Sequence, residues 1–137
     1  MQYDPDHQFF DVHVPFLSSL GVHALKMNAE EDSALISIDL HRGLENSISA
    51  LHGGAIASLL DVAMAAAARA RDRSVRVTTI EMHIHYMRPA QAPVVYATGK
   101  LTHGTGSMAF TEAICHNEAG EVFARATGTF KKLKPKV

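Results

Sequence analysis

Apolar residues recur along this chain in two rhythms. Over 34-ALISIDL-40 they alternate, with Ile36, Ile38 and Leu40 on one side and Leu35, Ser37 and Asp39 on the other. A period of two is the signature of a strand. Residues 22–27 read as a strand before it, with Glu30, Glu31 and Asp32 as the turn. Alternation returns over 75-VRVTTIEMHIHYM-87, which predicts one face of Ile80, Met82, Ile84 and Tyr86 and another of Thr79, Glu81, His83 and His85. Pro89 ends that strand. PVVYATGKL (93–101), SMAFTEAICH (107–116) and EVFARATGTF (121–130) predict three more. NEAG (117–120) reads as a hairpin turn, and the glycine-rich HGTG (103–106) as another connection.

Between these blocks the rhythm changes. The stretch 52-HGGAIASLLDVAMAAAAR-69 is apolar on nearly every side and predicts a helix over about residues 53–70, closed by the charged RARDRS segment. Residues 9–20, FFDVHVPFLSSL, predict a short helix or helical turns near Pro15 with Gly21 as the stop, and 41–51 read as a loop. The order is strands, one long helix, then four strands. No repeat, low-complexity tract or linker interrupts it, so residues 1–137 form a single α+β domain. A helix apolar all round has to be covered on most sides, by a strongly curved antiparallel sheet or by a sheet and a second subunit.

The helix contains a conflict. Between Ala55 and Ala68 only Ser58 and Asp61 are polar. A carboxylate taken out of water without a partner is costly, and Asp is a mediocre helix former away from the first turn. Local conflicts of this kind mark functional sites, although an Asp paired with an arginine or capping a neighbouring element would also satisfy the pattern. The helix also opens on Gly53 and Gly54. A helix N-terminus presents unpaired N–H groups with partial positive charge, and glycine lets a ligand approach them. His52 and Asp61 are nine residues apart, about 13 Å along the axis and on opposite faces. One small reacting group cannot reach both within one chain. An antiparallel pairing of two helices in a twofold dimer would bring each N-terminus near the other copy's Asp61.

Composition narrows the partners. With 47% hydrophobic and 20% charged residues and a formal charge of −1, the chain is an ordinary globular one with no basic field for nucleic acid. A single cysteine, Cys115, argues against a disulfide framework and for a reducing compartment. MQYDPDHQFF lacks the layout of a secretory signal, and the longest apolar run is too short and interrupted for a bilayer. A cytoplasmic protein without membrane contact is expected, with the basic FKKLKPKV as a solvated tail.

The run 46-NSISALHGGAIASLLD-61, followed by VTTIEMHIHYMRPA and AFTEAICHNEAGEVFARATGTF, resembles the hotdog-fold acyl-CoA thioesterases, in the phenylacetate-pathway (PaaI-like) branch. The resemblance covers roughly residues 15–132. It implies a long helix wrapped by a curved antiparallel sheet, in dimers joined edge to edge with antiparallel helices, often paired again into tetramers. It implies hydrolysis of an acyl- or aryl-acyl-CoA, with coenzyme A arriving as part of the substrate and no cofactor or metal. By that pattern Asp61 is the catalytic carboxylate, as base or nucleophile, and the Gly53 N–H polarises the thioester carbonyl. His52 and Asn46 hold the substrate or its thiolate, and Thr79 positions the attacking water. Gly54, Arg88 and Ser107 are the substrate-binding candidates. HGTGSMAF departs from the branch, because Gly106 and Ser107 stand where a basic residue often grips the nucleotide; Arg88, Lys131 or Lys132 would then serve instead. QAPVV also lacks the usual glycine after the R-P-A turn.

Other features compete less well. His83 and His85 share a face with Glu81 but read as a polar row rather than a metal site. Cys115 reads as core, and Ser58 lacks a nucleophile's glycine elbow. The methionines read as core or acyl-tunnel lining. Arg69, Arg71 and Arg73 complement the helix C-terminus, with phosphate binding as a second role. The rival functions are a non-catalytic acyl-CoA-binding module, a hydratase or dehydratase of acyl thioesters, and a purely structural oligomer.

Overall fold

The computed structural model describes residues 3–133. A short helix α1 (Pro15–Leu20) has Pro at its start, and Gly21, at φ +76°, closes it in the left-handed conformation that glycine adopts without strain. Strands β1 (Val22–Asn28) and β2 (Ser33–Asp39) form a hairpin. A single 3-10 turn at Arg42–Leu44 and a Glu45–Leu51 bridge order the expected loop before the long helix α2 (Gly53–Ala68). Strands β3 (Arg76–Tyr86), β4 (Val94–Gly104), β5 (Met108–His116) and β6 (Val122–Leu133) follow. Strand β6 runs further than expected, and the tail beyond Leu133 lies outside the described residues.

All six strands form one antiparallel sheet in the order β1-β2-β4-β5-β6-β3, curved round α2. The inner face supplies Ile36, Ile38, Val95, Cys115 and Phe130, which pack on Ile56, Leu59, Leu60 and Met64 of α2. Close approach depends on small residues. A methyl group at Gly99 of β4 would run into the carbonyl of Ala63, so the strand can lie against the helix backbone only with glycine there.

The sheet does not cover α2 all round. Gly54, Ala57, Ser58, Asp61, Val62, Ala65 and Ala68 are half-buried or exposed, and their spacing traces one stripe along the helix. Asp61 therefore sits at the open seam of the helix and not inside an apolar casing.

Strand β3 overturns one expectation. A bulge lies between Thr79 and Glu81 on the pairing with β6, leaving Ile80 unpaired and 53% exposed. Beyond the bulge Met82, Ile84 and Tyr86 pair with inward residues of β6, and Glu81, His83 and His85 face outward. Before it the phase is reversed. Thr79 pairs with the buried Phe130 and joins the helix-facing side, not the face of the histidines. The outer edge of β3 has no neighbouring strand among the described residues.

Candidate active site

The bulge delivers Thr79 to the open seam of α2. Its hydroxyl donates a 2.7 Å hydrogen bond to Oδ1 of Asp61. A hydroxyl bonded to a carboxylate is a charge-assisted contact, short and directional, and it orients the acid while leaving Oδ2 uncommitted. Ser58, one turn earlier, bonds back to the Gly54 carbonyl and is occupied by its own helix.

At the start of α2 the orphan donors are shared out unequally. The N–H groups of Ala55 and Ile56 bond to the His52 carbonyl, and that of Gly54 donates to Nδ1 of His52 at 2.8 Å. The Gly53 N–H is left without a partner among the described residues. With Nδ1 accepting, Nε2 is the ring nitrogen left to carry a proton, so the side chain presents an N–H donor. Tyr86 donates to the Gly53 carbonyl at 2.9 Å, and its ring packs beside the Gly53 Cα. This tyrosine was not singled out in the sequence; its place on the inward phase of β3 was the available signal. Gly53 and Tyr86 line a shallow pocket of about 260 Å³ with Ile56, Met87 and Pro89.

Within one chain Thr79 and Asp61 form one group and His52, Gly53 and Tyr86 another. The two lie about 12 Å apart along the helix axis. Asn46 lines the same pocket as Gly53 and Tyr86, but its Oδ1 accepts from the N–H groups of Ile48 and Ala50, fastening the turn that leads into α2. Gly54 is occupied by its bond to His52. Arg88 lines the same pocket as Gly53 and Tyr86, and its guanidinium is held in place. It pairs with Glu121 at 3.1 Å, donates to the Val122 carbonyl and lies over the Phe123 ring. Ser107 sits in the exposed β4–β5 turn, held by Thr105.

The arginines after α2 are also engaged. Arg71 pairs with Asp32 and Arg73 with Asp11, while the buried Arg69 bonds the carbonyls of Arg73 and Val75. Burial pushes the Arg69 guanidinium below its ordinary value, reinforced by Arg76 and Arg73 nearby. Burial likewise pushes the Cys115 thiol up to about 12, which removes it as a thiolate nucleophile.

The family model described as the thioesterase superfamily matches residues 49–124, from Asn46's turn through Asp61 and Thr79 into β6. The chain belongs to the thioesterase superfamily. The YigI medium/long-chain acyl-CoA thioesterase of Escherichia coli is 30% identical, over 90% of this chain and 88% of that protein. In fold, this thioesterase-superfamily chain is similar to the Escherichia coli PaaI protein of the phenylacetic acid degradation operon, with a TM-score of 0.79, 20% identity and coverage of 88% and 86%. It is also similar to the BH2602 protein of Bacillus halodurans, solved with CoA, with a TM-score of 0.75, 22% identity and coverage of 89% and 78%. The architecture is the hotdog fold of that superfamily. No described helix is long and apolar enough to cross a membrane.

Proposed function

We propose that the protein hydrolyses acyl-CoA thioesters at a site assembled from two copies of the chain, with Asp61 as the catalytic carboxylate. Thioester hydrolysis is the chemistry of its superfamily. The observation that carries the residue assignment is the Thr79–Asp61 bond on the uncovered stripe of α2. An acid held there is oriented, open to substrate, and has one oxygen left for water.

The second copy follows from the separation of the two half-sites. Strand β3 offers eleven residues with an unpaired outer edge, flanked by exposed Ile80, Tyr86 and Met87. Such an edge invites another strand. If β3 pairs antiparallel with its copy, the partner's Gly53 comes to Asp61 when Thr79 stands opposite the partner's Tyr86, because Tyr86 marks the position of Gly53 and Thr79 that of Asp61.

In the resulting site the thioester carbonyl accepts from the partner's Gly53 N–H. Oδ2 of Asp61 takes the proton of a water as its oxygen attacks the carbonyl carbon. Negative charge moves to the carbonyl oxygen, where a fixed N–H stabilises it by a few kcal/mol. Collapse expels the coenzyme A thiolate and leaves the free acid, and the proton passes from Asp61 to the thiolate. The Nε2–H of His52 is a donor for substrate or leaving group. Arg76, Lys131 and Lys132, at the open end of β3 and β6, carry no carboxylate partner among the described residues and suit the nucleotide phosphates. The YigI relative supports medium or long acyl chains as the substrate class.

Thiol release from short, medium, long and aryl acyl-CoAs, by wild type and Asp61→Asn side by side, tests the reading. Turnover of at least one substrate with a loss of about two orders of magnitude or more in a folded Asp61→Asn variant is the expected result. Equal rates would make Asp61 structural, and binding without thiol release by wild type would make the protein an acyl-CoA carrier.

A further inference from the structure

The outward face of β3 carries a feature the hydrolytic site does not use. His83 and His85 bring their Nε2 atoms to 3.0 Å, with ring centroids 4.8 Å apart and planes at 78°. Both rings are exposed, on the side of the sheet away from α2. Imidazole nitrogens bound to one zinc ion at about 2.0–2.1 Å in tetrahedral geometry stand about 3.3 Å apart, so a slight opening of this pair meets that spacing. Glu81 precedes them on the same face, its Oε1 accepting from Thr129. Among the described residues no three metal-ligating side chains converge within one copy. The pair is therefore half of a site.

The register of the dimer supplies the other half. Placing Thr79 opposite the partner's Tyr86, with Ile80 bulged out, sets His83 opposite the partner's His83 and Glu81 opposite the partner's His85. Residues directly opposite on one face have Cβ atoms about 4.5–5.5 Å apart. Four imidazoles and two carboxylates then gather where the twofold axis crosses the outer face. Neutral imidazole and carboxylate form a donor set for zinc and its neighbours. Arg125, which pairs with His85 across β3 and β6, and Lys100 share the cleft of His83 and His85, and Glu112 in that cleft together with Glu81 offsets them in each copy.

We propose that the dimer binds one divalent transition-metal ion on its twofold axis, through His83 and His85 of both copies with Glu81 in reserve, as a clasp across the β3–β3 seam. This rests on the two-copy reading of the active site. The ion takes no part in hydrolysis, since it lies across the sheet from Asp61.

The test uses chelator-treated protein titrated with zinc chloride by calorimetry, with mass measured by light scattering before and after. The expected result is one zinc per two chains, weakened about tenfold or more in His83→Ala and unchanged in His103→Ala, an exposed histidine elsewhere on the sheet. A monomer that zinc converts to a dimer in a His83-dependent way supports the clasp equally. A metal-free dimer that takes up no zinc, or takes it up equally well in His83→Ala, overturns the clasp and leaves the shared active site standing. A protein that is monomeric with and without zinc overturns both.

Discussion

Thr79 has one hydroxyl proton and gives it to Asp61. In the proposed mechanism its contribution is to aim a carboxylate, so its loss belongs in the rate constant and not in binding. Thr79→Val keeps the branched shape and deletes the donor. We expect kcat to fall about ten- to a hundredfold with KM little changed, read by steady-state thiol release on the best substrate. A matched rise in KM would instead assign Thr79 to binding. Asp61 itself was legible as a polar residue in conflict with an apolar helix, and the free N–H of Gly53 as a consequence of glycine at a helix start. The commitments of other residues were not legible. Nothing in N-S-I-S-A shows that Asn46 spends its carbonyl oxygen on Ile48 and Ala50, or that Arg88 is drawn off to Glu121. Those depend on loop conformations that side-chain patterns do not encode.

At the scale of elements, period two and the apolar run located all six strands and α2, because burial against a single core imposes those rhythms. The misplacement of Thr79 has a physical cause. Apolar positions fall at Val75 and Val77 and then at Ile80, Met82, Ile84 and Tyr86, so the pattern slips by one across Thr78 and Thr79, and pairing with β6 shows that slip as a bulge at Ile80. The fit of helix to sheet is silent in the sequence. Gly99 looks like any strand glycine, yet it sets how closely β4 approaches α2. Gly99→Ala forces backbone apart in a packed interior. The expected cost is about 3 kcal/mol, a drop of about 10 °C in Tm by calorimetry, with the oligomeric state retained in the folded fraction. An unchanged Tm would mean the strand has slack that its packing does not suggest.

For the whole molecule, the open stripe of α2 and the bare edge of β3 lie on the same side as both half-sites. Among the described residues a single chain holds an aimed acid with no donor opposite it, and a donor with no acid. On the proposed two-copy site, activity is a property of the pair. Specific activity should fall on dilution through the dissociation constant of the dimer, in step with the mass measured at each concentration, and a rate per chain independent of dissociation would remove the shared site.

The bulge at Ile80 is in effect a phase slip. It keeps Thr79 on the same surface as Met82, Ile84 and Tyr86, although an odd number of steps separates them. The carboxylate's aim is set upstream, by Thr79, and the outward histidines are set downstream. Deleting Ile80 would straighten the ladder with Thr79 still opposite Phe130 and the acid still aimed, whereas an Ile80 drawn into the ladder would turn Thr79 to the outside.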